Sequence, residues 1–206
     1  MYKLFYSPFS CSLAVHIALE KTGYDFAMEK IDVRKGEHQK KEYLELNKRG
    51  KVPLLKDGDK YIDQGAAILL YLADKHPETG MMPPINDPQR AEAISALFYM
   101  SNSVHPTLAM AFYPDRFSHG NSGDVLSKAI ERTKKLLSEL NQDIVDEGFL
   151  NGAKPYTADY YLITMLNWLQ LFQINLDAYP KLQAYKQRAG ELPEVARAVG
   201  KEMVEF

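Results

Sequence analysis

The sequence predicts an α/β domain over residues 1–78, followed by an all-α domain over residues 88–206. Three observations carry that division. Strand-like apolar runs, "YKLFYS", "FAMEKIDV" and "VPLLKDGDKYID", occur only before residue 64. Beyond residue 87 the periodic stretches repeat their apolar residues at three-to-four spacing, the period of a helix packed on one side. Between the two, residues 79–87 lie within "PETGMMPPINDP", whose Pro, Gly, Asn and Asp mark a linker.

Taken in order, "YKLFYS" is a short aromatic strand that Pro8 interrupts. Ser10 or Ser12 can cap a helix through "SLAVHIALEKTG", which sets Leu13, Ile17 and Ala18 on one face and ends at Gly23. "FAMEKIDV" returns as a strand, and a strand, helix and strand of this length make a parallel pair with a right-handed crossover. "KKEYLELN" is a short helix, and "VPLLKDGDKYID" is a hairpin with Asp57-Gly58 in its turn. "QGAAILLYLADKH" closes the domain as a helix with Ala66, Leu69, Leu70 and Ala73 inward. The order βαβαββα is the thioredoxin-like arrangement. In the second half, "QRAEAISALFYMSNSV", "DVLSKAIERTKKLLSELNQDIVDE", "DYYLITMLNWLQLF" and "KLQAYKQRAG" read as a helical bundle.

Composition excludes several classes. With 206 residues, 46% hydrophobic and 25% charged, the chain has enough apolar material for a sizeable core. A net charge of −2 gives no electrostatic footprint for nucleic acid or an anionic membrane. The longest apolar stretch, "AAILLYLA", is well short of the roughly 20 residues a membrane-spanning helix needs. The first residues lack a basic segment followed by an apolar one, so no signal peptide is expected. One cysteine excludes an internal disulfide and a Cys-rich zinc site. These features together describe a cytoplasmic protein.

Four places can carry chemistry. Cys11 stands in the first turn of a helix, where unpaired N–H groups and the helix dipole favour thiolate. The competing reading is a small buried hydrophobe. Without a second cysteine two residues away, any mixed disulfide would be resolved by a small external thiol. At Val52-Pro53 a cis bond would free the Val52 backbone to pair with an extended peptide; an ordinary trans proline opening an edge strand is the alternative, and residues alone favour it. Asp63, Gln64 and Gly65 lie at a strand-to-helix junction, suited to holding a carboxylate or simply to capping by Asp63. His105 sits where Pro106 should kink or restart one long helix over residues 88–117. A lone helical histidine is more often a packing residue, and His16, His38, His76 and His119 form no metal-ligand spacing.

Together "YSPFSCSLAVHIAL", "NKRGKVPLL", "DQGAAILLYLAD", the histidine of "SNSVHP" and "LDAYPKLQAYKQRAGELPEVARAV" resemble the glutathione S-transferase family, its bacterial beta class in particular. The resemblance spans nearly the whole chain. It implies a thioredoxin-like domain that binds glutathione as co-substrate, with no prosthetic group. It also implies a helical domain forming most of a pocket for small hydrophobic electrophiles, and a homodimer. Cys11 matches a cysteine that lies against the glutathione sulfur and can form a mixed disulfide with it. Tyr6 matches a tyrosine that is catalytic in other classes. Val52 and Pro53 match the cis-proline turn, with Lys51 beside it, that pairs with the cysteinyl backbone of glutathione. Gln64 and Gly65 match the pair that receives the γ-glutamyl end, and His105 matches a histidine directed at the active site.

Several positions depart from the family pattern. Many relatives carry Ser or Thr at the Gly65 position and an acidic residue at that of Gln64. Lys35 matches the lysine for the glycyl carboxylate only if one residue is deleted nearby. In "PYTADYY", Asp159 of a buried capping box is kept while Tyr156 takes its Ser/Thr position, leaving Thr157 to cap one residue later. The expected activity is glutathione conjugation, with glutathione–disulfide exchange at Cys11. Helix-terminal N–H groups near Ser10 and Ser12, with His105 above, would stabilise thiolate. Phe9, Met110, Phe112, Tyr113 and Phe206 would line the electrophile pocket. The rival readings are reductive dehalogenation or isomerisation on the same fold, and a partner-binding stress regulator without catalysis.

Overall fold

Alternation in β1 (Tyr2–Tyr6) sends Tyr2 and Leu4 to one face of the sheet and Phe5 to the other. The computed structural model that establishes this describes residues 1–203. β1 pairs in parallel with β2 (Phe26–Lys30) through the crossover helix α1 (Ser12–Thr22), as the residue pattern requires. Its other edge pairs antiparallel with β3 (Leu54–Asp57), which continues into β4 (Lys60–Asp63), giving the order β2-β1-β3-β4. Helix α2 (Lys41–Leu46) brings Tyr43 onto the smaller apolar cluster with Phe5, Ile31 and Leu54. Helix α3 (Gly65–Lys75) joins α1 on the opposite face, where the main core lies.

Asp57 pairs with Lys60, so the central turn residues are Gly58 and Asp59, one step beyond the expected pair. In α3, Ile68 and Leu72 are fully buried while Leu70 is half-buried. Asp63 does not cap α3, because its carboxylate is drawn to Arg49 at 2.6 Å. Helix α1 departs most from a one-sided pattern: every residue from Ser12 to Glu20 is buried. It lies between the sheet layer and the helices of the second half, packing on α3, α7 (Thr157–Trp168) and α9 (Pro193–Glu202). Gly23, at φ 71°, ends it in the left-handed region that glycine enters without steric cost.

After the linker, α4 (Gln89–Tyr99) does not run straight to residue 117. It passes through a π-helical turn, Met100–Val104, and restarts as α5 (His105–Phe112) with Pro106 in the first turn. Proline has no N–H to give an α-helical bond, and the wider turn absorbs the mismatch. The remaining helices are α6 (Ser122–Asp143) and α8 (Pro180–Gly190). At the start of α7 the Asp159 carboxylate accepts from Tyr156 N at 2.8 Å, from Leu150 N at 3.0 Å and from the Tyr185 hydroxyl at 3.0 Å. Thr157 does not cap; its hydroxyl faces the Met82 sulfur at 3.1 Å. Among the described residues no helix is long and apolar enough to cross a membrane.

Candidate active site

Four element starts converge on one point. Cys11 precedes α1, the Val52-Pro53 turn precedes β3, Gly65 opens α3 and His105 opens α5. The Val52–Pro53 bond is cis. Cys11 is half-buried, and its thiol donates to the Val52 carbonyl at a long 3.7 Å. Burial pushes this thiol up to about 11, against the opposing pull of its own backbone N–H, the Tyr161 hydroxyl and the Lys51 charge. Desolvation here opposes the thiolate that the helix start favours.

The hydroxyls of the serines beside it are tied into the loop. Ser12 is fully buried, donating to Ser7 O at 3.0 Å and accepting from Ser7 N at 3.2 Å. Ser10 Oγ contacts Ser12 Oγ at 2.7 Å and accepts from Ser12 N at 3.2 Å, so Ser10 makes the cap-like contact. Phe9, 39% exposed, sits at φ 58° on the loop ahead of Cys11.

Gln64 adopts φ 70° and ψ 111°, outside the regions comfortable for a side-chain-bearing residue, and its side chain is exposed. Such strain costs on the order of 1–3 kcal/mol and accumulates at ligand sites. The backbone N–H groups that open α3 have no intrahelical partners, as at any helix start. Gly65 is buried, and a Cβ there would meet Tyr161 Cε2 at 3.3 Å, the Tyr161 hydroxyl at 3.6 Å and Pro53 Cγ at 3.8 Å. A serine or threonine side chain there would press on the Tyr161 ring.

From the helical side, His105 Nδ1 lies 2.9 Å from the Tyr161 hydroxyl. Burial, then the Lys51 charge, push the imidazole down to about 4, so it is neutral at physiological pH. Its ring packs on Trp168 with centroids 5.3 Å apart, and Trp168 meets Phe112, which meets Phe172 and Tyr113. Phe112 and Tyr113 thus fall in an aromatic wall beside His105, and Met110 is half-buried on the same helix. Phe206 lies outside the described residues. Tyr161, Trp168 and Phe172 were not anticipated. Their signal is a helix apolar on every face, in which buried hydroxyl and indole groups need partners.

Two anticipated residues stand apart. Tyr6 packs beside His16 with centroids 6.5 Å apart, and burial followed by the Glu202 charge raises its hydroxyl; it makes no hydrogen bond to Cys11 or His105. The strand alternation that sends Tyr2 and Leu4 toward α1 sends Tyr6 there too. Lys35 projects from an exposed loop and pairs with Asp32 at 3.7 Å, three residues back. Lys51 is exposed, its charge felt at both Cys11 and His105.

Two profiles cover this arrangement: "Glutathione S-transferase, N-terminal domain" matches residues 1–74, and "Glutathione S-transferase, C-terminal domain" matches residues 88–193. The chain belongs to the glutathione S-transferase family. Among glutathione S-transferases, GstA of Escherichia coli O157:H7 is 33% identical, over 97% of this chain and 98% of its own length. A solved glutathione transferase homolog from sulfitobacter, with bound glutathione, superposes with a TM-score of 0.91 at 27% identity, covering 100% and 99% of the two chains. A bacterial beta-class glutathione S-transferase from Sphingomonas chungbukensis does so at 0.86 and 35% identity, over 98% and 100%.

Proposed function

We propose that the protein is a glutathione transferase of the beta class, joining reduced glutathione to small hydrophobic electrophiles. One observation carries the reading: Cys11, the Val52 backbone and the α3 start face His105 and Tyr161 from the other domain. The Val52 backbone would pair with the cysteinyl unit of glutathione, and the first N–H groups of α3, with Gln64, would hold its γ-glutamyl carboxylate. The glutathione sulfur would then lie beside Cys11.

The raised Cys11 thiol acquires a use in this position. A group that keeps its proton donates S–H to a neighbouring thiolate, which makes the glutathione anion easier to form. That thiolate attacks the electrophilic carbon, a C–S bond forms, and the leaving group departs with its electron pair. The wall of Phe112, Trp168 and Phe172 supplies an apolar face for the electrophile. Disulfide exchange at Cys11, a homodimer and a cytoplasmic setting belong to the same reading through family resemblance.

Calorimetric titration with reduced glutathione, followed by turnover of 1-chloro-2,4-dinitrobenzene, tests it. Saturable binding at or below millimolar glutathione and a saturable conjugation rate are expected. His105→Ala should lower kcat/KM by about tenfold or more, as loss of one polar group at a developing charge does. Neither heat nor product at millimolar glutathione would leave a partner-binding scaffold as the better reading.

A further inference from the structure

Tyr161 is 3% exposed, and a hydroxyl so buried requires partners. His105 Nδ1, 2.9 Å away, is one, and the Cys11 thiol of the other domain lies near enough for the hydroxyl to favour its thiolate. The ring lies against Gly65, where an added Cβ would stand 3.3 Å from it, and the Pro53 ring stands on the other side of the same gap. His105 is itself half-buried rather than sealed from solvent, so the imidazole can exchange its proton with water. With Nδ1–H donating to the Tyr161 oxygen, the phenolic proton is left free for the sulfur.

We propose that Tyr161 is a catalytic residue of disulfide exchange at Cys11, donating its hydroxyl proton in a hydrogen bond to the Cys11 sulfur as that sulfur leaves a mixed disulfide. This rests on the reading of Cys11 as the residue that lies against glutathione. In the step, a glutathione thiolate attacks the glutathionyl sulfur attached to Cys11. A disulfide forms between two glutathione sulfurs, the bond to Cys11 breaks, and its electron pair passes to Cys11 Sγ. One disulfide replaces another, so nothing is oxidised or reduced overall, and the released thiolate afterwards takes a proton from water. The charge develops at a half-buried sulfur where desolvation opposes it. A prearranged hydroxyl is the compensating donor, and a better-stabilised leaving thiolate leaves faster.

The test loads Cys11 with oxidised glutathione, checks by mass for one added glutathionyl group, and follows its release by reduced glutathione across pH. Tyr161→Phe keeps the ring and deletes the hydroxyl. Release is expected to slow by about 10- to 100-fold, the range for a lost hydrogen bond to a charged group. Alkylation of the free thiol is expected to move to higher pH, which a purely structural role would not cause. Gly65→Ala, pressing on the Tyr161 ring, should produce the same changes to a smaller degree. A wild-type protein that takes up no glutathionyl group overturns the proposal together with the reading of Cys11. Normal loading with wild-type release in Tyr161→Phe overturns the proposal alone. Should Tyr161→Phe fail to fold, a wild-type release rate in Gly65→Ala overturns it, and slowed release with the alkylation shift supports it.

Discussion

Gly65 shows how much one absent methyl can decide. A Cβ there would stand 3.3 Å from the Tyr161 ring and press on it; without one, a hydroxyl from the helical domain stands undisturbed near the thiol of the sheet domain. His105 completes the group as a neutral imidazole. Its folded value of about 4 lies below the unfolded value of about 6.5, so the unfolded chain binds more protons between them. The associated stability is fully present above pH of about 6.5 and is lost as pH falls toward 4. A proton NMR titration of the His105 ring should show its midpoint near 4, and a midpoint at 6 or above would mean that the ring is well hydrated. Turn, cap and break residues drew notice to Cys11, Val52, Pro53 and His105, yet residues alone favoured a trans Val52–Pro53 bond, which is in fact cis, and a packing histidine; the family resemblance supplied the cis turn. Tyr161 was not legible, since its role depends on what a residue 96 positions earlier lacks.

Helix α7 is the element on which this geometry hangs, and Asp159 fixes its start. Three donors point at that carboxylate, two of them backbone N–H groups. Asp159→Ala would leave these donors buried without a partner and should cost about 3 kcal/mol, read as a lower urea midpoint. Burial, offset in part by those hydrogen bonds, pushes the carboxyl up to about 6. Because the folded value exceeds the unfolded one, this group makes stability fall as pH rises from about 4 to 6, opposite in sign to His105. The boxed Asp159 was legible through the family resemblance, and the βαβαββα order from period and punctuation. The burial of α1 on every side was not, because α9, which covers one side of it, comes about 180 residues later.

One continuous apolar core joins both halves of the molecule, running from Leu4 and Leu13 through Ile68 and Leu97 to Leu162 and Val195. Charged contacts reinforce the seam. Glu20 of α1 takes Arg197 at 2.8 Å and Lys201 at 2.5 Å, and buried His16 meets Glu202 at 2.8 Å. Burial alone would raise Glu20, but Lys201 and Arg197 outweigh it and hold its carboxyl below the usual range. Calorimetry should therefore record a single unfolding transition, with equal calorimetric and van't Hoff enthalpies. Residues 1–78 expressed alone should not fold, because α1 would expose the sides that α7 and α9 cover; two separate transitions would contradict a shared core. The most direct measurement is alkylation of the single thiol over a pH series, with and without S-methylglutathione, which occupies the glutathione site but cannot consume the reagent. If glutathione lies over a Cys11 thiol kept protonated by burial, the free protein reacts slowly until pH is well above 8.5, and the ligand protects it. A thiol titrating below 8.5, or one that reacts equally fast with the ligand present, would contradict that arrangement.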